Sequence, residues 1–244
     1  MENIFLDTGI FVKENFLEGK RINELLRLSE IKEVQIILSR ITIAEIKNNY
    51  LKHLEKGLEF LGAFKNKLES RVLRNNNFGT PLFAKPIKSD LIDEFNTKLD
   101  DKLTKSNVVI IEYSELNIQL VFDKYFKAEF PFNSSNKKSE FPDAFAMALL
   151  EKWCETKKVK CTVFALDNDL KGYISSHLTI EFDYENYLDK KLKVQLETKQ
   201  RLKTLENLFL ANKSRIETKI CEWYTDKLFV RAYIIILFLM KFII

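Results

Sequence analysis

The sequence predicts an α/β protein: an open parallel sheet of about five strands with helices on both faces. Two observations carry this. Five short apolar runs, residues 4–6, 34–38, 108–111, 162–166 and 178–182, are too short for buried helices and suit buried strands. Between them lie charged stretches whose apolar residues recur at threes and fours, as in amphipathic helices. Strands that alternate with helices build parallel sheets.

Composition agrees with a folded domain. The chain has 244 residues, 46% hydrophobic and 30% charged, so a core can form and disorder is not expected. A net charge of +4 permits a nucleic-acid partner without demanding one. Three cysteines, Cys154, Cys161 and Cys221, lack the count and spacing of a disulfide framework or a zinc finger. Asp7 interrupts the only apolar run near the N-terminus, so no signal peptide is expected and the localisation expected is cytoplasmic. His53 and His177 stand far apart and read as surface or packing residues.

Taken in order, the first strand covers Ile4, Phe5 and Leu6 and stops on Asp7, after which Thr8-Gly9 turn the chain. From Ile10 to about Ile31 the spacing is helical, with Leu17, Ile22, Leu25 and Leu26 on one face. The second strand, 34–38, closes on Ser39. A long helix is expected from about Thr42 to about Arg74, with Glu45 in its first turn. Residues 75–81 read as a loop, and 86–105 as a charged helix. The third strand, 108–111, is followed by a helix that Ser114 would cap, with Glu115 in its first turn. A loop over 129–140 carries Lys137 and Lys138 and leads into Phe141-Pro142-Asp143-Ala144, a helix start with proline near the first position. The fourth strand ends on Asp167-Asn168-Asp169 and the fifth is short. Residues 184 to about 226 read as one or two Lys- and Glu-rich helices. The organisation expected is a domain over 1–183 with a helical insertion at about 50–106, and a helical extension over 184–244.

Residues 228–244 are very apolar. Arg231 and Lys241 leave a clear run of nine, Ala232 to Met240, against roughly twenty for a spanning helix. A buried element or a contact with another chain is the favoured reading, and a membrane contact through 228–244 the less favoured one.

Four acidic positions share one pattern. Asp7 ends the first strand, Glu45 follows the second, Asp143 opens a helix after the third, and Asp167 ends the fourth. In open α/β sheets, ligands bind beyond the carboxyl ends of the strands. Each acid also has a plain structural reading: Asp7 as a helix cap, Glu45 and Asp143 as partners of a helix dipole. Together, converging carboxylates would take up protons unless a cation sits among them. Hard oxygen ligands select Mg²⁺ or Mn²⁺. The substrate that suits such a centre is a phosphodiester.

These residues carry a family resemblance. Ile-Phe-Leu-Asp7-Thr, Ile-Thr-Ile-Ala-Glu45, Lys-Ser-Glu-Phe-Pro-Asp143-Ala and Val-Phe-Ala-Leu-Asp167-Asn-Asp169 resemble, in order and spacing, the successive motifs of a PIN-domain nuclease. The resemblance covers about residues 3–183 and is to a larger, stand-alone bacterial PIN-like group more than to compact toxins. About thirty extra residues lie between the Glu45 helix and the third strand, and a helical tail follows the fifth. The resemblance implies a metal-dependent endoribonuclease acting on single-stranded RNA. Asp7, Glu45, Asp143 and Asp167 would be its catalytic and metal-binding quartet, with Asp169 a further metal candidate. Thr8 would orient Asp7 or a water, and Lys137 or Lys138 would touch a phosphate, although a solvated loop explains that lysine pair as well. Partners implied are RNA and, as further candidates, a second copy of the chain or an inhibitor protein.

Other readings fit less well. A haloacid-dehalogenase-type phosphatase needs a second aspartate that Asp7-Thr8-Gly9 lacks, and Lys171 stands where Thr or Val belongs after Asp167-Asn168-Asp169. Gly57 and Gly62 have P-loop spacing, but Ala63-Phe64 follow instead of Lys and a hydroxyl residue. An inactive PIN-like module that binds RNA or protein, and a structure-specific DNA nuclease, stay open as alternatives.

Overall fold

The computed structural model describes residues 1–75, 83–132, 140–166 and 170–240. Five strands, β1 (Glu2–Leu6), β2 (Val34–Ser39), β3 (Val109–Ile111), β4 (Cys161–Phe164) and β5 (Leu178–Glu181), form one sheet. Its order is β3-β2-β1-β4-β5, and every pairing is parallel. The chain therefore steps one way from β1 to β3 and the other way from β1 to β4 and β5. The reversal falls between β1 and β4, the place where parallel sheets open a crevice beyond their strand ends.

The central strands are buried on both faces over residues 4–6 of β1 and 36–38 of β2, which is why those stretches read as unbroken apolar runs. Phe5 pairs with Ile37 on one side and Val163 on the other. These three share a core with Met147, Leu149 and Leu150 of the helix Phe141–Lys157. Ile4, Leu6, Ile36 and Leu38 point the opposite way by strand alternation and are equally buried. On that side the helix Lys20–Glu30 packs against β2.

Helices α1 (Thr8–Lys13) and α2 (Lys20–Glu30) replace the single run expected from Ile10 to Ile31. Between them Asn15 and Phe16 adopt φ of 46° and 59°. A Cβ on Gly19 would stand 2.6 Å from the Glu14 carbonyl oxygen, so only glycine fits there. Buried Glu14 accepts a 2.7 Å hydrogen bond from the Tyr184 hydroxyl and a 3.2 Å bond from the Arg21 N–H. Its acceptors are thus satisfied inside the fold.

Helix α3 (Arg40–Asn66) is 27 residues long and ends eight residues short of the expectation. Helix α4 (Leu68–Arg71) and a 3-10 turn (Val72–Asn75) follow, and then α5 (Lys88–Lys105). The helix expected to start under Ser114 begins later. Tyr113–Glu115 form a 3-10 turn, and α6 (Ile118–Lys127) is capped by Asn117, whose side chain accepts from the Leu120 N–H. Helix α7 (Phe141–Lys157) carries proline in its first turn. The extension is one continuous helix, α8 (Tyr184–Met240). It runs past residue 226, where the sequence pattern was expected to end, through most of the apolar tail.

Two compact units result, 1–188 and 189–244. Among the described residues no helix is long and apolar enough to cross a membrane.

Candidate active site

Asp7 sits where β1 gives way to α1. Its backbone N–H donates to the Phe164 carbonyl at 2.9 Å, tying the end of β1 to the end of β4. Its carboxylate accepts from the Gly9 N–H at 3.2 Å, so the capping role is real. A Cβ on Gly9 would approach the same oxygen to 3.2 Å, so glycine leaves that carboxylate room. Thr8-Gly9 do not form a separate turn, since both already belong to α1.

Glu45 is brought to Asp7 by the start of α3. Ser39 closes β2 and caps the helix, accepting from the Thr42 N–H at 3.0 Å, while the two hydroxyls meet at 2.9 Å. The helix begins at Arg40, so Glu45 lies in its second turn rather than the first. The dipole explanation for this acid weakens accordingly, because that effect fades beyond the first turn. Instead α1 packs against α3, and the Thr8 hydroxyl donates to Glu45 Oε2 at 3.1 Å. Thr8 was expected to serve Asp7 or a water; its hydrogen bond is to Glu45.

Burial pushes the Glu45 carboxyl above its ordinary range, and the negative charge of Asp7 adds to the rise. The Thr8 hydrogen bond and the positive charge of Lys52 pull the other way. Lys52 was not singled out in the sequence, although it stands two turns along from Glu45, on the same face of α3.

Asp143 lies in the first turn of α7. Positions 143, 147, 150 and 154 share one helix face, and Met147, Leu150 and Cys154 of that face belong to the core with Phe5 and Ile37. The far end of α7 meets the start of β4, where Cys154 and Cys161 hydrogen-bond. Asp143 is therefore carried at the end of α7 opposite to the Cys154–Cys161 contact. Asp167 and Asp169 follow β4 directly in sequence but lie outside the described residues, as do Lys137 and Lys138. Among the described residues no three His, Cys, Asp or Glu side chains form a group able to hold a metal.

Asp7 and Glu45, near enough for the charge of the first to raise the carboxyl of the second, both offer hard oxygens. The softer candidates are elsewhere: Cys154 and Cys161 are buried in the core, and His53 packs edge-on to Phe16 at 5.8 Å. Carboxylates of this kind, one destabilised by burial, suit an oxygen-seeking divalent cation, the type of metal that PIN domains typically use.

Residues 4–173 match the family model of the PIN domain. The chain belongs to the PIN-domain family. This PIN domain takes in β1 to β4 and the helices between them, and the match stops before β5 and α8. PIN domains are generally nucleases, which indicates a nuclease-type function for the chain. No curated protein and no solved structure matches the chain.

The raised Glu45 has a consequence for stability. A carboxyl that holds its proton more tightly when folded contributes stability that is complete below the unfolded carboxylate range. That contribution is lost as pH rises through the folded value. Glu45→Gln removes the charge and keeps an oxygen for Thr8. We expect Glu45→Gln to melt at a higher temperature than the wild type in metal-free buffer near pH 7. The gap should close below about pH 4, where the native carboxyl is protonated. Thermal melts across that range check it, and an unchanged melting temperature at pH 7 would mean the site carries no such penalty.

Proposed function

We propose that this PIN domain is a metal-dependent endoribonuclease that hydrolyses phosphodiester bonds of single-stranded RNA. The observation that supports the reading is the hydrogen bond from Thr8, the neighbour of Asp7, to Glu45, which brings acids 38 positions apart in the chain within electrostatic reach near the reversal point of a parallel sheet. The preference for RNA comes from the motif resemblance described above.

Asp7 and Glu45 would hold Mg²⁺ or Mn²⁺, with Asp143, Asp167 and Asp169 as the further acidic candidates. The bound cation would supply the polarisation of water and phosphate that these side chains cannot provide alone. Thr8 holds Glu45 through its hydrogen bond to one carboxylate oxygen. The Gly9 N–H holds Asp7 in the same way. Holding carboxylates in advance of the substrate is how a site avoids reorganising during reaction. Lys52, and Lys137 or Lys138 from the loop, are the candidates for phosphate contact.

Chelation tests the proposal. Purified protein should cut a labelled single-stranded RNA internally, stop in EDTA, and recover when Mg²⁺ or Mn²⁺ is added in excess. Full activity after thorough chelation would remove the cation from the mechanism. Cutting of branched DNA with RNA left intact would replace RNA as substrate. Tight RNA binding without cleavage in any metal would make the domain a binding module.

A further inference from the structure

The second unit consists, among its described residues, of the α8 helix from Asp189 onward. From 189 to 225 nearly every side chain is exposed or half exposed. Long helices owe most of their stability to packing of an apolar face, not to intrinsic propensity. This one has such a face. Gln195, Leu202, Phe209, Ile216 and Trp223 recur at a strict seven-residue interval. Leu205 and Asn212 stand three residues after the second and third of these. Leu202, Leu205, Phe209, Ile220 and Trp223 are each more than half exposed. A seven-residue apolar period marks a helix that supercoils with another.

We propose that α8 pairs with α8 of a second copy of this chain as a parallel, in-register, two-stranded coiled coil centred on residues 202–223. Charge complementarity along the flanks argues for this occupant. With residues 195, 202, 209, 216 and 223 as the first seam position, the positions flanking the seam are 194, 201, 208, 215 and 222 on one side. On the other side they are 199, 206, 213, 220 and 227. In a parallel in-register pair each of the first set meets the residue five later on its partner. Arg201 then faces Glu206 of the partner subunit, and Glu222 faces the partner's Lys227. The remaining three meetings each join one cation to one apolar residue (Val194 with Lys199, Leu208 with Lys213, Arg215 with Ile220). No like charges meet across the flanks.

Direction follows from the seam itself. Parallel strands stack like on like, giving apolar layers of Leu202, Leu205, Phe209, Ile216 and Trp223 together with polar layers of Asn212 and Lys219. Antiparallel strands would set the seven-residue row against Thr198, Leu205, Asn212 and Lys219, so a single one of its four apolar residues would meet another. Asn212 paired with itself is a polar layer that favours one register over its neighbours. Lys219, the cation in the seam, is held by Glu222 at 3.2 Å on its own helix, and its long stem lets the ammonium reach the edge.

The test uses the full chain with Cys221→Ser, because Cys221 is exposed on the outer face of the same helix. Sedimentation at micromolar concentration should give a dimer. Phe209→Asp should yield monomer with an unchanged far-ultraviolet signal from the first unit's sheet and helices. Arg201→Glu should weaken the dimer about tenfold by setting like charges together, and Glu206→Arg added to it should restore the affinity. Asn212→Cys should crosslink in oxidised glutathione, while Ser214→Cys, on the outer face, should not. A monomer at all concentrations would overturn the proposal. Equal crosslinking at 212 and 214, failure of the double charge variant to recover, or association only with phospholipid vesicles would do the same.

Discussion

Asp7→Asn should lower RNA cleavage by on the order of 10²–10³-fold or more, the size of effect seen when one preorganised electrostatic group is lost from a site. The substitution is informative because Asp7 does two jobs. Its carboxylate accepts from the Gly9 N–H as a cap, and the same charge raises the Glu45 carboxyl. Asparagine caps helices as well as aspartate does, so Asp7→Asn keeps the first role and deletes the second. Asp7→Ala deletes both and should also cost about 0.5–2 kcal/mol of stability. Cleavage assays and thermal melts on the pair separate the roles. If Asp7→Asn cuts at the wild-type rate, the acid is only a cap. If Asp7→Asn and Asp7→Ala melt together, the cap contributes nothing and the charge alone explains the position.

Phe5→Ala should destabilise the first unit by about 3–5 kcal/mol, the usual cost of emptying a buried aromatic position. Phe5 is only 1% exposed and lies between Ile37 of β2 and Val163 of β4, beneath α7. Typical domains have about 5–15 kcal/mol in hand, so the loss is a large fraction of the whole. The same side chain lies two residues before Asp7 on the central strand. A denaturant midpoint that falls by that amount, with the slope unchanged, is the expected result. A change under about 1 kcal/mol would mean that α7 collapses onto the vacated space.

The central strands were legible because burial on both faces leaves no room for polar residues, and residues 4–6 and 36–38 show this plainly. The family motifs were legible for a related reason: Asp7 directly follows such a run, and Asp143 stands beside a proline that marks a helix start. What could not be read was backbone geometry made by ordinary residues. The break between α1 and α2 depends on Asn15 and Phe16 in left-handed conformation, and neither proline nor a glycine pair marks it. Only Gly19 hinted at it, and its reason is the close approach of Glu14, which is seen only once the chain has turned. The cap at Asn117 was hidden because Ser114, three residues earlier, is an equally good cap residue by type. At the site, pairing of Thr8 with Glu45 instead of Asp7 depends on how α1 lies against α3, a tertiary fact with no local signature.

The sheet's two outermost strands have a bearing on how molecules of this protein can gather. They are three and four residues long, β3 and β5. An exposed border of a sheet can recruit a neighbour's backbone, and shortness is one of the ways natural proteins discourage it. A stub of three residues offers too few amides for another chain to zip onto. Growth by lateral sheet extension, the usual route to fibrils and runaway stacking, is therefore closed at both ends of the fold.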